Sequence, residues 1–152
     1  MTTASPSMPV AHPGVIGRTV TGGFAGVAGG VFFGVLMQIE GMIPLVAQLV
    51  GSQSTAVGWI VHLVISAFIG GAFGLLFGVA ARGLTRSTIM GMMWGAVWWV
   101  LGGLILMPAF LSMPDMIFEV GAMQWKSLMG HLIFGIVAGF VYGLAQQRHT
   151  HE

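Results

Sequence analysis

The chain contains no cysteine, and only nine of its 152 residues (five Lys or Arg, four Asp or Glu) carry a formal charge. Without cysteine there are no thiolate metal sites, no redox dithiols and no disulfides. A soluble domain is about 25% charged, against 6% here, so the polar surface of a water-soluble enzyme is missing. The scarcity of cations also leaves no basic patch for nucleic acid. No nucleophile–base pair sits in a recognisable setting, and neither HExxH nor a phosphate-binding glycine loop occurs. A self-contained enzyme is therefore not expected.

What the chain has in abundance is apolar length: 56% of its residues are hydrophobic and 25 are glycine. Residues 19–39, 41–81, 87–114 and 127–147 contain no Asp, Glu, Lys or Arg. A membrane-spanning helix needs roughly 20 apolar residues, and the longest stretch is interrupted by the polar GSQST at 51–55. The pattern predicts an all-α integral membrane protein with four transmembrane helices, near 19–40, 56–81, 88–109 and 122–146. Barrel strands would alternate apolar and polar residues, and no segment does.

The cations set the orientation. Arg18, Arg82, Arg86 and Arg148 fall on one side of four alternating helices, while Asp115, Glu119 and Lys126 fall on the other. The expectation is a multi-pass protein of a bacterial inner membrane with both termini cytoplasmic. Residues 1–17 lack the basic start of a signal peptide. With Pro6, Pro9 and Pro13 they read as a cytoplasmic arm, followed by the membrane domain 18–147 and a tail 148–152. His12, His149 and His151 read as solvated side chains on that arm and tail.

A shift of 69 residues superimposes the two halves without a gap. Thr19 falls on Thr88, Gly22 on Gly91, Gly26 on Gly95, Gly34 on Gly103 and His62 on His131. Val31, Leu63, Gly70, Gly74 and Leu75 also meet identical residues. A rare residue, histidine, thus coincides in phase with the glycines. The implied unit is a two-helix hairpin repeated in parallel about an axis along the membrane normal. Small residues recur every four positions: Gly22, Gly26, Gly30 and Gly34, then Ser66, Gly70, Gly74 and Gly78, then Gly135, Gly139 and Gly143. Such rows let helix backbones approach closely in lipid; if the rows on the second and fourth helices meet each other, both His62 and His131 point into the bundle.

His62 lies about seven residues into its helix and His131 about ten, or roughly 10–14 Å deep at 1.5 Å per residue. Polar groups at that depth are costly and mark candidate sites. Three readings are open. Each imidazole bonds a nearby backbone or hydroxyl group and helps lock the bundle. Alternatively, the pair holds a haem b through two axial imidazoles, by architectural analogy with bis-histidine four-helix membrane cytochromes. Or His62, His131 and Glu40 form a two-histidine, one-carboxylate metal set. Six of the 12 methionines, Met37, Met42, Met107, Met113, Met116 and Met123, fall on the outer side. Thioethers favour Cu(I), although methionine also fills gaps in apolar packing.

Trp59 and Trp125 sit where an interfacial aromatic belt is expected. Trp94, Trp98 and Trp99 lie in the middle of the third helix, where they suggest a face that docks on another subunit or lines a cofactor. The outer segments 41–51 and 109–121 are apolar and contain Pro44 and Pro114, and are expected to lie along the interface. The functional expectation is an accessory subunit of a larger membrane complex, redox or metal-dependent. Its partners would be other integral membrane subunits or further copies of itself, and lipid. A bis-histidine haem b electron carrier, copper handling and an oligomeric transporter are the alternatives.

Overall fold

The computed structural model describes residues 14–148. The arm through residue 13, the tail beyond Arg148, and with them His12, His149 and His151, lie outside the described residues. Among those described, all regular structure is helical: α1 (Val15–Ile39), α2 (Ile43–Gln48), α3 (Thr55–Phe77), α4 (Leu84–Trp98), α5 (Met107–Phe110) and α6 (Ala122–Arg148). A π-helical segment, Trp99–Leu106, joins α4 to α5, and a short 3₁₀ turn covers Pro114–Met116. Four helices are long and apolar enough to cross a membrane: Val15–Ile39, Thr55–Phe77, Leu84–Phe110 and Ala122–Arg148. Large apolar side chains such as Ile16, Phe24, Phe32, Ile60 and Phe68 project from their outer surfaces.

The observed helices differ in detail from the sequence expectation. α1 starts four residues early, and α3 stops at Phe77 instead of 81. The chain turns back through Gly83, whose φ of 78° is left-handed, a conformation glycine takes at no steric cost. The third spanning helix is expected to be uninterrupted but contains the π segment. There, i→i+5 bonding widens the turn over the pair Gly102–Gly103.

Packing follows the small residues. α1 lies antiparallel on α3, α4 on α6, and the two pairs join through α1 and α6. In the first crossing, a Cβ added to Gly22 would run into the Gly70 carbonyl oxygen, and one on Gly70 into the Gly22 carbonyl. Gly26 is set the same way against Ser66 and Gly70, and Gly74 against the Arg18 carbonyl. In the second crossing, Gly91 and Gly135 meet backbone to backbone, Gly139 meets Ser87 and Thr88, and Gly143 meets the Ser87 hydroxyl. Gly30 leaves room for the Ser66 side chain, and Gly78 for the Tyr142 hydroxyl. Between the pairs, Gly29 receives Phe134 and Gly130 receives the Phe33 ring.

This corrects the supposed meeting of the rows on α3 and α6, which hardly touch. A row of small residues gains most from an equally small partner row. The rows with matching spacing are on α1 and α4, each adjacent in sequence to the helix it covers.

The residual space is unevenly distributed. At the end carrying Arg18, Arg82, Arg86 and Arg148 the core is tight, built on Ala25, Phe73, Ala81 and Tyr142. At the opposite end it is built on larger side chains, Phe33, Met37, Ile43, Val46, Ile69 and Phe134.

Backbone contact at Gly22 predicts a sharp local contrast. Gly22→Ala should lower unfolding free energy by about 1–3 kcal/mol, the usual cost of overpacking. Gly23→Ala, whose Cβ would find only the Ala67 carbonyl at 3.6 Å, should stay within about 0.5 kcal/mol. Reversible unfolding in mixed micelles measures both, and equal losses would refute the assigned crossing.

Candidate functional site

His62 projects from α3 toward α1. Its Nε2–H donates to the Gly30 carbonyl at 2.9 Å. Gly34, lacking a Cβ, makes room for the imidazole and for Trp59, whose own N–H donates to Gln38 at 3.0 Å. His131 turns back along α6, where its Nδ1–H donates to the Ser127 carbonyl at 2.8 Å. A carbonyl can only accept, so these bonds fix opposite tautomers. His62 keeps its lone pair on Nδ1, and His131 keeps its lone pair on Nε2. Neither of those nitrogens has a hydrogen-bond partner among the described residues.

Phe33 packs against both imidazoles, with ring centroids 5.5 Å from His62 and 4.7 Å from His131. No direct ring contact joins the two histidines. A haem spanning the imidazoles would have to displace Phe33, so the arrangement does not fit two-sided axial ligation.

Beside the histidines lies a cavity of about 240 Å³. Its walls are apolar, and no Asp, Glu, Lys or Arg lines it. All six outer methionines reach it: Met37, Met42, Met107, Met113, Met116 and Met123. They form two tiers. Met37, Met42 and Met107 belong to the packed core around Phe33, whereas Met113, Met116 and Met123 are exposed at the rim. α2 supplies one wall through Leu45, Val46 and Leu49. The 41–51 segment therefore folds inward instead of lying along the surface, with Ile43 and Ala47 fully buried. Gly58 on α3 is what admits Ile43. The opposite wall is the π segment, where Gly103 leaves space next to His131.

Two sequence expectations are corrected here. Glu40 is not brought to the histidines; it is paired with Lys126 at 2.6 Å, both side chains well exposed. Among the described residues no group of three or more His, Cys, Asp or Glu is placed to hold a metal. The set His62, His131 and Glu40 is thus not assembled. The reason is solvation, because a carboxylate at a helix end is cheaper beside a cation at the surface than in an apolar cavity.

The tryptophans do not form an outward docking face either. Trp94 donates to the Ile69 carbonyl at 3.0 Å and packs edge-on to Phe77. Trp98 lies edge-on to Trp94 and lines the cavity. Trp99 donates to the Gln124 carbonyl at 3.0 Å and stacks on Trp125. An indole N–H in apolar surroundings seeks an acceptor; neighbouring helix carbonyls provide it for Trp94 and Trp99, whereas the Trp98 N–H is buried with no partner among the described residues.

Sequence reasoning missed Phe33, the inward α2 wall and the π turn. The only signal for the last was the Gly102–Gly103 pair, since paired small residues favour helix irregularity. Comparison with protein-family models, curated proteins and solved structures gives no match.

The exposed Glu40–Lys126 pair is expected to contribute little. Glu40→Gln should change unfolding free energy, measured by reversible unfolding in mixed micelles, by less than about 1 kcal/mol. A loss of several kcal/mol would show that Glu40 does more than pair at the surface.

Proposed function

We propose that this chain is a multi-pass membrane protein that holds a small ligand at its outer side, as a subunit of a larger membrane assembly. The observation that carries the reading is the cavity. Two neutral imidazoles, each anchored by one nitrogen, leave the other unbonded beside an apolar chamber that opens at the methionine rim. A concave apolar pocket with a few convergent polar groups is the usual form of a ligand site.

Membrane insertion is supported by the exposed apolar side chains on all four long helices, an amount of apolar surface that a soluble monomer does not present. The four arginines at one end of the bundle support cytoplasmic termini, which puts the cavity on the outer side. A tandem hairpin repeat is supported by the two glycine crossings, although they differ by one helical turn. Gly22 faces Gly70 and Gly74, while Gly91 faces Gly135 and Gly139 in place of Gly139 and Gly143. Membership of an assembly is supported by the span Leu84–Phe110, the least covered of the four. It has a whole flank free for a neighbouring subunit.

The absence of native cysteine makes a clean test possible. Single cysteines at Met113, Met107 and Thr85 should respond differently to a membrane-impermeant maleimide. Met113→Cys at the rim and Met107→Cys in the wall should label on intact cells, and Thr85→Cys only after the membrane is opened. The reverse pattern would overturn the orientation. An unreactive Met107→Cys beside a reactive Met113→Cys would show that the chamber is closed to the outside.

A further inference from the structure

We propose that the cavity is a Cu(I) site formed by the free nitrogens of His62 and His131 with the thioethers of Met37 and Met107. The proposal rests on the ligand-site reading above and assigns the ligand's chemistry.

The four side chains reach one cavity by a shared construction. Gly34 on α1 faces His62, and Met37 follows it by three residues toward the outer end. Gly103 in the π segment faces His131, and Met107 follows it by four. The added residue matches the wider i→i+5 turn of that segment, which carries Met107 round to the cavity. Each hairpin thus offers one imidazole and one thioether to the same chamber. Both imidazoles donate their other N–H to a backbone carbonyl, the outer-shell arrangement that orients metal-binding histidines.

The donor set selects the metal. It contains no carboxylate and, in a chain without cysteine, no thiolate. The cost of placing an ion in apolar surroundings rises with the square of its charge, so a neutral set disfavours a divalent ion. Thioether and imidazole together suit soft, monovalent copper.

The distribution of methionine argues against simple gap-filling. α1 carries Met37 alone and α3 carries none, yet six thioethers surround this one cavity. The exposed tier, Met113, Met116 and Met123, continues the inner donors to the surface and offers an entry path for a thioether-bound ion.

The test is anaerobic titration of the purified full chain with Cu(I) against the chromogenic chelator bicinchoninate. One Cu(I) per chain is expected, with nitrogen and sulfur neighbours together in X-ray absorption. His62→Gln keeps an N–H for the Gly30 carbonyl but lacks the ring lone pair, and should weaken binding by at least about tenfold. Met37→Leu and Met107→Leu should each weaken it measurably. Met93→Leu, exposed and outside the cavity, should bind as wild type does. Absence of stoichiometric copper, coordination without sulfur, or unchanged affinity in His62→Gln would overturn the assignment. If the cysteine-labelling pattern holds while copper fails to bind, only the metal assignment falls. If Met107→Cys is unreachable from outside, the ligand-site reading falls with it.

Discussion

Contact of backbone with backbone at glycine is the constraint from which the rest of this structure follows. At Gly22, Gly26, Gly70 and Gly74, and again at Gly91 and Gly135, the neighbour is main chain. Farther along the same helices the neighbour changes. Gly34 meets the rings of Trp59 and His62, and Gly103 meets the side chains of Trp99, Ser127 and His131. Helices that touch at one end must diverge at the other when they cross at an angle. The divergence is what creates room for imidazoles, thioethers and a cavity. Close packing at the arginine end and open space at the Glu40 end are therefore two consequences of one crossing geometry.

A second constraint acts on the polar atoms this space admits. In apolar surroundings an unmet donor is costly, and backbone carbonyls, of a neighbouring helix or of the same one, are the nearest acceptors. His62 takes that of Gly30, His131 that of Ser127, Trp94 that of Ile69 and Trp99 that of Gln124. For the indoles this exhausts the chemistry, because tryptophan has one donor and no acceptor. For the imidazoles it does not. Each has a second nitrogen that a carbonyl cannot satisfy, so the bond that anchors the ring also defines which atom is left to act.

How far the sequence discloses this depends on the range of the interaction. Helix count and length follow from the spacing of nine charges, a local property, and the four long helices agree with it. The glycine rows, the outer methionines and the two histidines are also visible as patterns along the chain. Which rows meet is a property of pairs: Gly70 is equally suited to Gly26 or Gly139 until the whole bundle is assembled. The inward direction of Trp94 and the capture of Glu40 by Lys126 depend on partners 25 and 86 residues away. Phe33 looks like any apolar residue of α1, yet it contacts both histidines because Gly130 on α6 admits its ring. The π segment is hidden for a related reason. Its hydrophobicity matches that of an ordinary helix, and only the bonding pattern differs.

The pairing of Glu40 with Lys126 also sets the chemistry of the site. A cavity containing Glu40 would balance a divalent cation and would exclude uncharged or weakly charged occupants by the cost of burying its own charge. With Glu40 and Lys126 neutralising each other at the surface, the chamber presents only neutral donors. Such a chamber disfavours a bare charge unless polarisable neighbours spread it. Sulfur serves that purpose better than the branched carbon of leucine, at similar volume and with greater flexibility. The same scarcity of charge that suits the chain to a bilayer thus limits what the site within it can hold.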